Sequence, residues 1–269
     1  MTPANDWCQR WTADRACRWR HVASEPINPR AYAVEPLSEP LARAFVESRH
    51  YSGTYPADRL RYGLWRGPEL VGAAVLSVPA QAAVLSIPFP QLQPYVESLE
   101  LGRFVLADDV PGNGESWFLA RVFDLAARAG IRGVVSFADP EPRLTTQGDV
   151  VFPGHVGTIY QASNAVFTGR GTARSLKLLP DGTVLSPRAL QKVRAGERGS
   201  DGVVRRLVEL GARPHQGESR AWLSAALADV GCRNLRHPGN YRYLFTLGTR
   251  RERRALTVDI QPLAYPKAA

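Results

Sequence analysis

The chain has 269 residues, of which 44% are apolar and 22% charged; it can bury a core without metal or disulfide staples and is neither a disordered tail nor a fibrous repeat. No apolar run approaches the roughly 20 residues that span a bilayer, MTPANDWCQRWTADR lacks the apolar centre of a signal peptide, and Cys8, Cys17 and Cys232 form no ligand cluster, so a cytoplasmic protein that avoids membranes is expected. The net charge is +9, almost all of it arginine, and it is unevenly placed: from Arg170 onward 19 Lys and Arg stand against 8 Asp and Glu, net +11, while residues 1–169 are net −2. A near-neutral part followed by a strongly basic part points to chemistry first and a polyanion grip second, with nucleic acid as the leading partner.

Residues 1–30 carry Trp7, Trp11 and Trp19 among Arg10, Arg15, Arg18 and Arg20, ahead of Pro26 and Pro29, without a sustained apolar period. They read as an arm whose tryptophans anchor it to its own domain or stack on bases; Cys8, Cys17 and His21 lack a fourth ligand at zinc-finger spacing. AYAVEPL reads as a short strand, and PLARAFVESRHY as an amphipathic helix capped by Ser38, with Glu39 and Pro40 in its first turn. RLRYGLWRG and ELVGAAVLSV form a hairpin across Gly67 and Pro68, and the prolines of IPFPQLQP keep that stretch out of a central sheet position. YVESLELGRFVLAD alternates as a central strand, DVPGNGES is a glycine-rich turn, WFLARVFDLAARAG is a helix stopped by Gly130, and IRGVVSFAD is a short buried strand. Beyond TIYQASNAVFTG come three helices, SPRALQKVRAG, SDGVVRRLVELGA and ESRAWLSAALADVG, then a strand, YRYLFTLG, and an exposed basic run, RRERR.

This order predicts an α/β fold with an arm over 1–30, a mixed-sheet core over 31–170 and a basic, largely helical segment over 171–269 from which one strand returns to the core. Three stretches could carry chemistry. A glycine-containing turn at the start of a helix suits a pyrophosphate, so Gly112, Asn113, Gly114 and Ser116 are candidates, although the same residues make an ordinary capped turn. In GTIYQASNAVFTG, Tyr160 is either a half-buried core aromatic or a proton donor to a leaving group of comparable basicity. In RHYSG, His50 titrates near neutrality and Tyr51 can stack on a planar base. Arg103 could hold a carboxylate, carbonyl or phosphate with its planar fork. Asp139, at the end of its strand, sits where α/β sheets place ligand-facing residues, to accept a proton or orient Arg103.

The β-α-β-β-β-α-β series resembles the GNAT superfamily of N-acetyltransferases, which implies an acetyltransferase-like, mostly antiparallel central sheet flanked by helices, and acetyl-CoA with its pyrophosphate at the glycine-rich turn. Asp109 stands where that superfamily usually has Arg or Gln. More narrowly, RHYSG, ELGRFVLADDVPGNGESWFLARV, SFADP, GTIYQASNAVFTG and HPGNYRYLF, in that order over roughly residues 45–248, resemble the Mom-type phage DNA-modification proteins. The resemblance implies conversion of adenine in duplex DNA to N6-(methylcarbamoyl)adenine, restriction evasion, a host-cytoplasm location, and an active site of His50, Tyr51, Arg103, Asp139 and Tyr160. It implies cofactor contacts at Val105, Gly112, Asn113, Gly114, Ser116 and Asn164. An exocyclic amine is a poor nucleophile and the product that the resemblance implies is not a simple acetamide, so ordinary acetyl transfer would not suffice. A metal-assisted or radical route, iron included, stays open, with His50, Tyr51 and Asp139 as the holding residues. DNA phosphates would fall to Arg188, Lys192, Arg205, Arg206, Arg242, Arg250, Arg251, Arg253 and Arg254. A conventional N-acetyltransferase acting on a small amine or protein and a noncatalytic nucleic-acid-binding protein are the alternatives; the oligomeric state, a homodimer included, is open.

Overall fold

The computed structural model describes residues 26–267, together with the backbone of β1 (Trp7–Trp11) and β2 (Cys17–His21), which pair antiparallel with Trp7 opposite His21. The N-terminal stretch read as an arm therefore contains a hairpin, which its mixed Trp/Arg sequence did not announce. The side chains of the arm's tryptophans, arginines, Cys8, Cys17 and His21 lie outside the described residues.

Next come β3 (Tyr32–Pro36), α1 (Glu39–Arg49), β4 (Asp58–Arg66), β5 (Glu69–Ser77), the single turn α2 (Ala83–Ser86), β6 (Ser98–Leu106), α3 (Gly114–Arg128) and β7 (Gly133–Ala138). A short hairpin, β8 (Arg143–Leu144) and β9 (Val150–Phe152), precedes α4 (Thr158–Ala162) and β10 (Val166–Arg170). Then follow β11 (Arg174–Leu178), β12 (Val184–Leu185), α5 (Pro187–Arg194), α6 (Asp201–Glu209), α7 (Ser219–Asp229), β13 (Arg233–His237), β14 (Tyr241–Thr246) and α8 (Arg250–Ala255).

Seven strands form one sheet in the order β10-β14-β7-β6-β5-β4-β3. Every neighbouring pair is antiparallel except β6 and β7. The parallel pairing runs from Ser98 opposite Gly133 to Leu101 opposite Ser136 and then stops, although both strands continue, so the sheet opens between them. A bulge supplies the cause. Val75 pairs with Arg103 and Leu76 with Leu101, leaving Gly102 as the extra residue of β6. A Cβ at that position would collide with the Ser77 side chain, so only glycine fits.

The extra residue also changes which side chains share a face. Leu99 and Leu101 before the bulge, and Phe104 and Leu106 after it, all pack into the core beneath α3 with Phe118, Leu119 and Val122. Val105 packs on the other face, with Phe45 and Val46 of α1, and strand alternation puts Glu100 and Arg103 on that same side. A second cluster on the α1 side joins Leu85, Phe89 and Leu92 to Val135 and Leu244. The architecture is thus the expected mixed, mostly antiparallel α/β sheet with helices on both faces.

The compact units divide the chain differently from the boundaries read in sequence. Residues 155–170 and 240–269 belong with 1–140, and residues 141–154 with 171–239. The second unit is a three-stranded antiparallel sheet, β12-β11-β13, with α5, α6 and α7 packed through Leu190, Val193, Leu207, Trp222 and Leu223. Its helices start as read, with the Ser186 hydroxyl accepting from Ala189 N–H and the Glu218 carboxylate from the N–H groups of Arg220 and Ala221. Its strands carry sequences such as RSLKL and RNLRH, too polar to signal a buried strand. The arginines of RRERR are exposed as read, and the run forms α8, opened by a capping box between Thr249 and Glu252. Among the described residues no helix is long and apolar enough to cross a membrane.

Candidate active site

The opening between β6 and β7 gathers most of the expected residues. His50 ends α1 and Tyr51 follows it, both half-buried, with ring centroids 4.2 Å apart. Arg103, one residue past the bulge, holds their loop: Nε donates to the Thr54 carbonyl at 2.8 Å and Nη2 to the Thr54 hydroxyl at 2.7 Å, while Nη1 donates to the Gly102 carbonyl. With these three hydrogen bonds the guanidinium positions the loop of His50 and Tyr51. Burial also lowers its pKa.

Asp139, 8% exposed, follows β7, and its carbonyl accepts the His155 N–H at 2.7 Å. The His155 ring meets Tyr51 edge to face at 5.8 Å, with Tyr51 Oη 3.5 Å from Nε2. Tyr160, 7% exposed, lies on α4, packed on Tyr243 at 5.4 Å and Phe245 at 6.2 Å. Gly157 makes that packing feasible: its φ of +76° suits glycine, and a Cβ there would come within 2.8 Å of both tyrosine rings.

Burial dominates the electrostatics. It pushes the Tyr160 phenol up, with the nearby Ser136 hydroxyl partly offsetting the shift, so the phenol holds its proton. Burial also raises the Glu100 carboxyl against the pull of Arg103. His50, expected to titrate near neutrality, is instead driven well below its ordinary range, first by burial and then by Arg103 and His155. Its Nδ1 accepts the Ser52 backbone N–H at 3.1 Å, so the neutral ring carries its proton on Nε2 and offers a donor there rather than a base.

This depression gives stability a pH dependence. Below the unfolded-state value of about 6.5 the unfolded chain binds the proton that folded His50 refuses, so stability falls as the solution is acidified. Wild-type protein is expected to lose more thermal stability between pH 7.5 and 5.5 than His50→Asn, whose side-chain oxygen can replace Nδ1. Equal losses in the two melting series would place the acid sensitivity elsewhere.

The profile of the Mom protein family matches residues 31–267. The chain belongs to the Mom protein family. No curated protein matches it. Similar solved structures include a tandem GNAT protein from the clavulanic acid biosynthesis pathway, at 11% identity over 81% of this chain and 99% of that one, TM-score 0.40. A Bacillus subtilis acetyltransferase in complex with CoA, at 9% identity, covers 81% and 99% with a TM-score of 0.36. A GNAT family acetyltransferase from Elizabethkingia anophelis with acetyl-CoA bound, also at 9% identity, covers 81% and 99% with a TM-score of 0.34.

The residues expected at a cofactor divide in two. Ser116 and Asn164 line one cleft of about 430 Å³ that runs along α3 past the end of α4 to the last residues of β14. Asn164 adopts a left-handed φ of +59°, which asparagine tolerates better than most side chains. Val105, Gly112, Asn113 and Gly114 are not among the residues lining this cleft. Val105 turns its side chain to the α1 face, and Asn113 is occupied otherwise, its Oδ1 accepting the Ile27 N–H at 2.7 Å. Asp109, the departure from the usual GNAT turn, is ion-paired to Arg66 at 2.6 Å, which offsets its charge.

Two residues of the opening were not singled out in sequence, Glu100 and His155. Glu100 reads as an outward-facing polar position on an alternating strand, and His155 as one polar residue of the loop FPGHVG; neither has a local signal. Among the described residues no group of three or more His, Cys, Asp and Glu could hold a metal ion. His50 and Asp139 of the expected trio thus gain no third ligand of those types among the described residues.

The arginines expected on DNA are also sorted by the structure. Arg242 turns inward on β14, with Nε donating to the Thr168 hydroxyl at 2.8 Å, and braces β10. Arg188 pairs with Glu197 at 2.6 Å, and Arg206 with Asp181 and, at 3.5 Å, Glu209. Arg205, Arg250, Arg251, Arg253 and Arg254 are exposed, Arg253 also lining the cleft, and Lys192 is half-buried.

Proposed function

We propose that this Mom family protein modifies adenine in duplex DNA with a group derived from an acyl-CoA, the expected product being N6-(methylcarbamoyl)adenine. The observation that carries the reading is the convergence, at one opening in the sheet, of a stacking surface on the α1 side and a buried, protonated phenol on the α3 side. Tyr51 and His155 present flat rings suited to an extruded purine, which must leave the duplex because its amino group is engaged in pairing. Arg103 fixes the loop bearing Tyr51 and His50, and His50 Nε2–H donates toward the base or acyl oxygen. Asp139 and Glu100 supply carboxylates at which a proton from the exocyclic amine can be received.

Ser116 and Asn164, together with the first turn of α3, suit the phosphates and amide groups of a CoA-type cofactor. When bound, acetyl-CoA would supply a two-carbon acyl unit at its thioester with the thiol as leaving group. Simple transfer of that unit would give an N6-acetyl group, so the methylcarbamoyl product also requires a nitrogen donor and a two-electron oxidant as co-reactants. Tyr160 holds its proton at Oη, shielded from water, for a leaving group of comparable basicity. Arg205, Lys192 and the exposed arginines of α8 are the side chains available for DNA phosphates, a grip that weakens steeply with salt.

The test is nucleoside mass spectrometry of DNA from cells making the soluble protein. A deoxyadenosine with the methylcarbamoyl mass gain is expected. Unmodified adenine would overturn the reading, and modification of cytosine or thymine would keep a DNA-modifying enzyme but reject the base. Acylated protein or small amines in the same cells, with unmodified DNA, would mark a conventional N-acetyltransferase.

A further inference from the structure

We propose that Arg253 of α8 is a phosphate hand for the cofactor, binding the ribose 3′-phosphate of CoA at the outer end of the α3 cleft; this rests on the acyl-CoA reading above. The cleft is bounded by Ser116, Ala120 and Phe123 along α3, by Asn164, and by Gly248 and Arg253 after β14. Its two ends are chemically different. Ser116 lies in the first turn of α3, which follows the end of β6 beyond the point where its pairing with β7 stops. Arg253 lies beyond the end of β14, where Thr246 pairs with Gly133 at the start of β7, the end of the sheet away from that opening.

A CoA with its thioester at the opening and its pyrophosphate at the first turn of α3 would lay its adenosine half along this cleft. The charged group remaining on that half is the ribose phosphate. Arg253 is the one cation among the residues that line the cleft, and it has no acidic partner among the described residues. The one lining carboxylate, Asp124, faces Arg121 at 3.7 Å.

The helix that presents Arg253 is fixed at both ends. Glu252 accepts the Thr249 N–H at 2.7 Å and pairs with Arg132 at 2.9 Å, while Thr257 is held by Gln91. A guanidinium on a secured helix offers the fork geometry that phosphates favour. Arg253, grouped by sequence with the DNA-binding arginines, is thus assigned to the cofactor, and its neighbours Arg250, Arg251 and Arg254 are left to DNA.

Calorimetric titration of the full chain with CoA and with 3′-dephospho-CoA, in wild type and Arg253→Gln, tests this without any turnover. Wild type is expected to bind CoA about 10-fold more tightly than dephospho-CoA, a ratio typical of one charge-assisted contact. Arg253→Gln should bind both equally, at the wild-type affinity for dephospho-CoA, with an unchanged melting temperature. A wild type indifferent to the 3′-phosphate, or a variant that keeps the preference, would overturn the assignment while leaving the acyl-CoA reading intact. A wild type that binds neither compound would overturn that reading and this inference with it.

Discussion

Tyr160→Phe is expected to lower the rate of adenine modification about 10²- to 10⁴-fold, the usual contribution of a positioned proton donor, while the protein keeps its fold. The ring stays in place in the variant because its packing is apolar, against Tyr243 and Phe245, with Gly157 leaving room beneath it. Only the hydroxyl is lost. Burial holds that hydroxyl protonated well into alkaline solution, so the wild-type rate should not fall near pH 8 through loss of this proton. Stability should change by less than about 1.5 kcal/mol, the ordinary net value of one hydrogen bond. Single-turnover rates on duplex DNA, read beside thermal melts, decide the matter: full activity with an unchanged melt would make Tyr160 a core aromatic and nothing more.

Arg103→Ala should cost about 10²-fold in rate for a different reason. The guanidinium makes no contact that requires substrate; it ties the Thr54 carbonyl and hydroxyl to β6 and so sets where His50 and Tyr51 stand. A displacement of about 1 Å in a reacting group is enough for a loss of this size. Removing the side chain also leaves the Gly102 carbonyl short of a donor, so a stability loss of about 1–3 kcal/mol is expected. Arg103→Lys separates the two contributions. It keeps the charge but not the planar fork, and cannot reach Thr54 and Gly102 together. If position is what matters, the lysine variant should fall nearly as far as the alanine variant in turnover while recovering part of the stability. Wild-type turnover in Arg103→Lys would show that charge alone is needed.

The sequence by itself determined the elements that local chemistry controls. Gly130 stops α3, Ser186 and Glu218 open their helices, and the Gly67–Pro68 turn joins β4 to β5, because caps, turns and alternation act within a few residues. It also held the charge asymmetry, and the candidates His50, Tyr51, Asp139 and Tyr160 that family-like stretches carried. Tertiary structure decided what those residues do. The bulge at Gly102 is visible only once β5 is paired with β6, and it is this one-residue excess that puts Glu100 and Arg103 with the α1 face and opens the sheet at Leu101 and Ser136. His155 reaches Tyr51 across 104 positions of chain, a separation that no window of sequence spans. The basic residues make the same point: Arg242, Arg253 and Arg251 look alike in sequence, yet one braces β10, one is exposed at the edge of a lined cleft and one is exposed away from it. A side chain's charge is fixed by its own atoms, whereas its partner is fixed by the register of strands brought together from distant parts of the chain.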